Sequence, residues 1–574
     1  MKKLKQPVII ISAVHIVVSI IYELAVCGIM EYPFEIMEPV RMGIISVKTE
    51  KILFFLVSKL AGCILIFFVW HVLEDIVARK RKMLAVLLVA AAVLAFATYP
   101  YNYLMEEDNL ILYVESICYY PDYWQSYLTG VFYNACLMVF RHSLMIPVVQ
   151  NCLFVGGIWY LGEKVKERWG KRVAWVPYLL LLLPESFEIG LNPYRNDIYA
   201  VFCIWLFSFV FFDWSRDRKP SWRKKTGVVA LMSLLVVWRG EGVILVLVAL
   251  GLCLFVWELP WKKKAMWIGI FAVACTALAL PQKIGDNKYY GKDYQMLNYM
   301  EALQYILNNP ESNLQYEGVQ EDLEGIEAAL PVQTIKEAGM MGYRVYNWKM
   351  KNTVNQSFLS TEEQNVFLSS ATGIISHNLV SYLQNRIRCF GEANGIAERS
   401  YNYGAENFED EQRLEDFSLG LQEIYEMSCE KYSVGLTIIA ASKGGVFWYQ
   451  NSFHNIIYQA IEKIVMGVSD FVRNIGMGFF LRGMAVILMI AMEVYLIKLQ
   501  GIRKNPVNHI TGITLLGLWF GIFLFSPEGR SVYYYPVYYA TLIWGACTMG
   551  LNFELIKEQK DIGSGKTSGK NLAL

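Results

Sequence analysis

Long apolar runs separated by short clusters of lysine and arginine fill the first half of the chain and return near its end. A bilayer core of about 30 Å takes about 20 helical residues, and a spanning segment must satisfy its own backbone, which favours helices. The runs predict an all-α polytopic membrane protein of about twelve transmembrane helices. Their approximate positions are 7–30, 52–77, 83–100, 144–162, 173–186, 196–213, 226–239, 242–258, 265–281, 474–499, 509–526 and 532–552. Four regions follow: an N-terminal transmembrane domain over 1–281 with an outer loop at 99–146, a polar segment over 282–471, C-terminal transmembrane helices over 472–553, and a Lys- and Gly-rich tail over 554–574 that reads as disordered.

Charge placement tests this threading, because cytoplasmic loops carry the Lys and Arg excess when loops are short. With the N-terminus inside, the inner loops hold Arg79 to Lys82, Lys164 to Arg172, Arg216 to Lys225, Lys262 to Lys264, Lys498 to Lys504 and the tail after Lys557. A helix missed or invented would invert the pattern downstream. The expected location is therefore a cell membrane, with both termini cytoplasmic and 282–471 extracytoplasmic. Met1 to Lys5 and the apolar run after them read as a retained first helix, since the core is too long for a signal peptide and no convincing A-x-A site follows.

Composition agrees: 55% of the 574 residues are hydrophobic and 18% charged, and the mean hydropathy is +0.33, above soluble composition. The net charge of +1 comes from short flanking runs rather than one patch, which argues against a nucleic-acid partner. The 11 cysteines show no CxxC or zinc spacing, and most sit in apolar segments. Cys389 and Cys429 are the pair a disulfide would join if the polar segment is extracytoplasmic, although spacing alone does not show proximity. There is no GxxxxGK[ST], GxSxG or HExxH, so ATP-driven transport, serine hydrolysis and zinc chemistry lose support.

Two outer segments are longer than connectors. In 99–146, the stretch Tyr123 to Phe140 mixes aromatic and polar residues as an interfacial amphipathic helix would. In 282–471, turn signals separate helix-like stretches such as Asn378–Cys389 and Glu411–Tyr432, predicting a mostly helical extracytoplasmic domain.

The candidate chemistry gathers in the predicted outer loops. Glu106, Glu107 and Asp108 follow Tyr99-Pro100, and a carboxylate there serves as a general base where a low-dielectric neighbour raises its pKa; a solvated acidic loop is the simpler alternative. Tyr119 to Trp124 is an aromatic run interrupted by Asp122, suited either to an interfacial belt or to stacking on sugar rings. Arg195 and Asp197 stand at a helix start near Glu185 and Glu188, and Arg239-Gly240-Glu241 forms a turn between apolar helices. Charges so close to hydrocarbon either face a cavity or pair structurally. Arg530, in Pro527-Glu528-Gly529-Arg530 and followed by Tyr533-Tyr534-Tyr535-Pro536, is placed to fork onto a phosphate, or to sit in an aromatic belt.

In their order along the chain these features resemble the GT-C superfamily of integral membrane glycosyltransferases, in particular bacterial members related to dolichyl-phosphate-mannose-type and arabinose-type transferases. The resemblance covers most of the chain in topology and about a tenth of it in matched residues. It implies an enzyme that transfers a sugar from a polyprenyl-phosphate-linked donor to an extracytoplasmic acceptor with inversion. Asp108 would then be the catalytic base. Glu107, Asp122, Arg195, Asp197, Arg239, Glu241, Arg530 and Tyr533 would bind substrate, with Arg530, Arg195 or Arg239 neutralising the departing phosphate. Relatives differ over metal dependence, so no cofactor is assigned; if a divalent cation takes part, Glu107, Asp108 and Asp122 would supply oxygen ligands. The chain departs from many relatives in having Tyr120-Pro121 where they show His-Pro, and in two extra helices before the first loop. Two other classes remain open: a lipid or glycan flippase or transporter, which predicts internal repeats and charges buried mid-helix, and a non-catalytic membrane scaffold.

Overall fold

The computed structural model describes residues 6–27, 44–78, 81–99, 107–337 apart from 192, 357–394, 484–500, 506–526 and 529–563, with scattered positions besides. Helices account for every regular element among them. In chain order they are α1 (Gln6–Tyr22), α2 (Val47–Val77), α3 (Lys82–Thr98), α4 (Glu107–Ile117), α5 (Tyr127–Val139), α6 (Met145–Trp169), α7 (Pro184–Leu191), α8 (Arg195–Phe209), α9 (Trp222–Trp238), α10 (Val246–Gly251), α11 (Trp261–Gly285), α12 (Asp293–Asn308), α13 (Val319–Glu327), α14 (Thr361–His377), α15 (Leu379–Ala393), α16 (Met484–Gln500), α17 (Pro506–Phe525) and α18 (Tyr535–Gly563).

Six described helices are long and apolar enough to cross a membrane: Pro7–Ala25, Val47–Val77, Met145–Trp169, Arg195–Trp214, Trp261–Tyr290 and Pro506–Phe525. Many of their apolar side chains do not face protein. Along α1, Ile10, Val14, Val18 and Ile21 are all exposed, an outward stripe at helical spacing. In the Trp261–Tyr290 span only 11% of the apolar window is buried. Such surfaces are stable in hydrocarbon and not in water, so the chain is embedded in a membrane. Serines start several helices: Ser46 Oγ accepts from Thr49 N before α2, Ser221 Oγ from Lys224 N before α9, and Ser360 with Glu363 forms a reciprocal capping box before α14.

The structure changes three expectations from hydropathy. Where a spanning helix is predicted at 173–186, Val176–Leu182 is a 3-10 helix of seven residues, about 14 Å long and too short to cross. Pro177 sits in its first turn and Pro184 follows its end, where proline removes the amide a continuing α-helix needs. The predicted interfacial helix over Tyr123–Phe140 is instead α5, in which Tyr127 to Met138 are all buried. It packs along α2, so its polar residues face protein rather than headgroups. The 281/282 boundary falls inside α11, which runs through Pro281 to Gly285 and on as a π-turn over Asp286–Tyr290.

Two hydrophobic cores result. The larger lies among α2, α4 to α11, α17 and α18. The smaller joins α12, α13 and α14 through Met296, Met300, Ile326, Phe367, Ala371 and Ile374. The segment 118–126 is buried throughout apart from half-buried Trp124; Cys118, Tyr119, Tyr120 and Tyr123 belong to the larger core, and Trp124 packs against both. Tyr119 (φ 54°) and Ser126 (φ 70°) occupy left-handed backbone that non-glycine residues seldom adopt. Gly285 lets α11 press on this segment, since a Cβ there would run into the Tyr123 ring. Gly285→Ala should therefore destabilise the protein by about 1–3 kcal/mol, whereas Gly269→Ala, with nothing within 4 Å of its Cβ position, should be neutral or slightly stabilising. Thermal unfolding of the two variants in one detergent checks this, and equal melting points would contradict the packing.

Candidate functional site

The polar groups of the buried 118–126 segment are tied to α11 and to the start of α8. The Gln282 side chain donates to Tyr123 O (2.5 Å) and to Asp286 Oδ1 (2.9 Å), and its Oε1 accepts from Tyr127 N (3.2 Å). Arg195 Nη1 donates to Trp124 O (3.0 Å), Gln125 Nε2 to the Tyr194 hydroxyl (3.0 Å), and Gln125 N to Asp122 Oδ1 (3.0 Å). Asp286 lies within electrostatic reach of both Asp122 and Arg195. Aromatic rings close the remaining sides: Tyr123 stacks on Tyr289 at 5.8 Å, and Trp124 meets Tyr290 at 5.2 Å and Tyr294 at 5.6 Å. Burial holds the Tyr119 and Tyr123 hydroxyls protonated by raising their pKa values far above the usual tyrosine range, and pushes the Cys118 thiol up to about 12.

A second group of charges adjoins this one. Arg195 and Asn196 open α8, and Arg239 follows α9 in extended backbone before the short 3-10 turn at Gly240–Leu245. Arg239 Nη1 donates to Asn196 Oδ1, and Arg239 Nε is 2.5 Å from Glu241 Oε1. The guanidinium lies over two rings, Tyr199 at 5.7 Å and Tyr533 at 5.9 Å. Arg195 in turn sits over Tyr294 at 6.0 Å and senses the Glu241 charge. Segments 44, 294 and more residues apart in sequence thus meet around two arginines.

Of the residues predicted from sequence, the structure brings together Asp122, Arg195, Arg239, Glu241 and Tyr533. Asp197 is buried in the first turn of α8, where a carboxylate suits the helix N-terminus. Arg530 is half-buried, and its carbonyl accepts from Tyr533 N (3.4 Å) across one 3-10 turn. The backbones of Glu107 and Asp108 begin α4, but their side chains lie outside the described residues, as do Pro527, Glu528 and Cys429. Cys389 is buried. Among the described residues no three His, Cys, Asp or Glu side chains form a metal-binding group, and of the proposed oxygen set only Asp122 has a described side chain, whose Oδ1 accepts from Gln125 N.

Sequence reasoning missed a third cluster, inside the membrane domain. Glu23, just past α1, pairs with Lys59 of α2 and with Arg141, and accepts from the Tyr119 hydroxyl. All four are buried. The available signal was Lys59 itself, twelve residues into α2 in an otherwise apolar run, because a charge at that depth demands a partner. Close by, Lys288 Nζ and the Tyr289 hydroxyl each donate to Glu50 at 3.0 Å. Gln282 and Asp286 were also missed, lying just past the predicted end of a span.

No family model matches the chain, and no curated protein or solved structure matches it either.

His142, between α5 and α6, is buried, and its Nδ1 accepts from Leu144 N (3.1 Å). Burial lowers its pKa to about 4 from the ordinary 6.5. Between those values the unfolded chain binds the proton and the folded chain does not, so stability falls as pH drops from about 6.5 toward 4 and is unaffected by His142 above that window. The steepest contribution is about 1.4 kcal/mol per pH unit. His142→Gln should flatten that acid limb in a melting-temperature series from pH 7 to 4; an unchanged limb would remove His142 as its source.

Proposed function

We propose that the chain is a GT-C-like membrane glycosyltransferase that moves a sugar from a polyprenyl-phosphate-linked donor to an extracytoplasmic acceptor. What carries the proposal is the meeting of Arg195 with Asn196, Arg239 with Glu241, and Tyr533 from the final loop, beside the buried Asp122 segment. Each guanidinium has five N–H donors. Arg195 contacts Trp124 O and Tyr294, and Arg239 contacts Asn196 and Glu241. Both keep donors for phosphate oxygens. Exposed Tyr294 and half-buried Tyr533 supply ring faces for a sugar or the first isoprene unit.

In this reaction an acceptor hydroxyl attacks the anomeric carbon as the bond from that carbon to the phosphate oxygen breaks. A carboxylate of the outer segment, Asp108, takes the hydroxyl proton. Negative charge grows on the leaving polyprenyl phosphate, where fixed arginines lower the barrier most. The acidic partner Glu241 holds the Arg239 guanidinium in place rather than cancelling it.

The test uses the full-length protein in nanodiscs with radiolabelled polyprenyl-phosphate sugars and a membrane extract as acceptor source. Arg239→Gln should lower transfer by about 10²–10³-fold, while Arg218→Gln, at an exposed pair with Glu258, should leave it unchanged. Wild-type protein that transfers none of the sugars, or an Arg239→Gln variant as active as wild type, would sink the reading.

The Glu23–Lys59–Arg141 cluster favours a second reading, a lipid or glycan flippase, because buried charges within spans line the paths of transported groups. That reading predicts that Lys59→Met stops translocation of a fluorescent polyprenyl phosphate in proteoliposomes. Translocation by wild type without any sugar transfer would favour it over the transferase.

A further inference from the structure

The small helical unit α12 to α15 is fastened to both sides of the arginine site. On one side α12 continues from α11: Gln364 Nε2 donates to Tyr290 O (2.7 Å) and Asp293 Oδ1 (2.6 Å), and Tyr294 is the ring facing Arg195. On the other side α15 lies on the end of α17 and the loop after it. Arg386 has no exposed surface, and its Nη1 donates to Ser526 O (2.6 Å) while Nε donates to Asn385 Oδ1 (3.1 Å). The Tyr382 hydroxyl donates to Leu524 O (2.8 Å). Phe390 meets Trp519, Phe523 and Tyr534 at 5.6 to 6.2 Å. At Gly529 a Cβ would fall 2.7 Å from the Glu392 carboxylate and 3.2 Å from Cys389 O, so the loop backbone touches α15 directly.

Leu524 and Ser526 carry carbonyls at the C-terminal end of α17, where no further turn of the same helix can bond them and the helix dipole favours a cation. A fully buried arginine is nevertheless a costly way to cover a helix end, and an apolar side chain of similar size often stabilises as well or better. What arginine adds is direction: Asn385 Oδ1 takes Nε and Nη2 and sets the plane of the guanidinium, so that Nη1 reaches Ser526 O in one orientation relative to α15. That loop leads within a few residues to Tyr533, which lies over Arg239. Arg388, bonded to Glu301 at 3.1 Å, joins α15 to α12, so the two attachments belong to one unit.

We propose that Arg386 and Tyr382 are positioning residues that latch the α12–α15 unit to the end of α17 and to Gly529, and thereby hold Tyr533 in place over Arg239. The inference rests on the reading of Arg195, Arg239 and Tyr533 as the donor-phosphate site. The latch itself is a mechanical statement that is read independently.

The experiment is hydrogen exchange by mass spectrometry on full-length wild type, Tyr382→Phe and Arg386→Lys in nanodiscs, paired with melting temperature and steady-state transfer. Tyr382→Phe loses one hydroxyl at a half-buried ring and should melt close to wild type. Amide exchange over 529–540 should nevertheless rise about tenfold, and kcat should fall several-fold with the donor KM little changed. Arg386→Lys should do the same more strongly. Wild-type exchange over 529–540 in both folded variants overturns the latch, and so does faster exchange spread evenly over all helices, which marks general loosening. Faster exchange confined to 529–540 in a protein that transfers no polyprenyl-phosphate sugar supports the latch and overturns the donor-site reading.

Discussion

A buried loop has to account for every backbone amide and carbonyl it takes out of water, and the 118–126 segment meets that demand by drawing in helices from the whole length of the membrane domain. Tyr119 and Tyr120 amides return to Ser116 and Glu115 of α4. Tyr123 O takes Gln282 of α11, Trp124 O takes Arg195 of α8, and the Tyr119 hydroxyl takes Glu23 beyond α1. These partners are themselves polar and close to hydrocarbon, so each needs a further partner: Gln282 has Asp286, Glu23 has Lys59 and Arg141, and Arg195 has Tyr294. The charged clusters are consequences of burying one irregular segment, and the arginine site stands where two of these chains of partners end.

The same logic explains why ionisable groups occur where hydropathy finds only spans. A buried pair contributes little net stability against an apolar replacement, but removing one partner leaves a bare charge and costs about 3–5 kcal/mol. Glu23 with Lys59 and Arg141, and Glu493 with His509 between α16 and α17, therefore fix which helices are neighbours more than they strengthen the bundle. Neighbour choice matters in a membrane, where apolar faces are equally content against lipid.

Much of the helical framework was legible because a spanning run is a strong, local signal. α1, α2, α6, α8, α11 and α17 begin and end within several residues of the hydropathy runs. The failures have one cause: hydropathy reports composition, not which way a side chain faces or whether proline lets the helix continue. It made Val176–Leu182 a span and α5 an interfacial helix, although α5 is enclosed on all sides. At the site, Arg195, Arg239, Glu241, Asp122 and Tyr533 were visible as charges and aromatics in short polar breaks. Gln282, Asp286 and Glu23 were not, since the first two lie just past a run's end and Glu23 inside a run, and only the fold shows that they face the same segment.

The account depends most directly on the 118–126 segment being shut away and bonded rather than an open outer loop. Residue-resolved hydrogen exchange of the full-length chain in nanodiscs addresses this, with the turn at 309–318, whose residues are mostly exposed or half-buried, as the internal reference. The structure predicts that the amides of Tyr119, Tyr120, Gln125 and Tyr127 exchange as slowly as those within α5. Exchange at the rate of the 309–318 turn would contradict it, and with it the argument that this segment brings the arginines together.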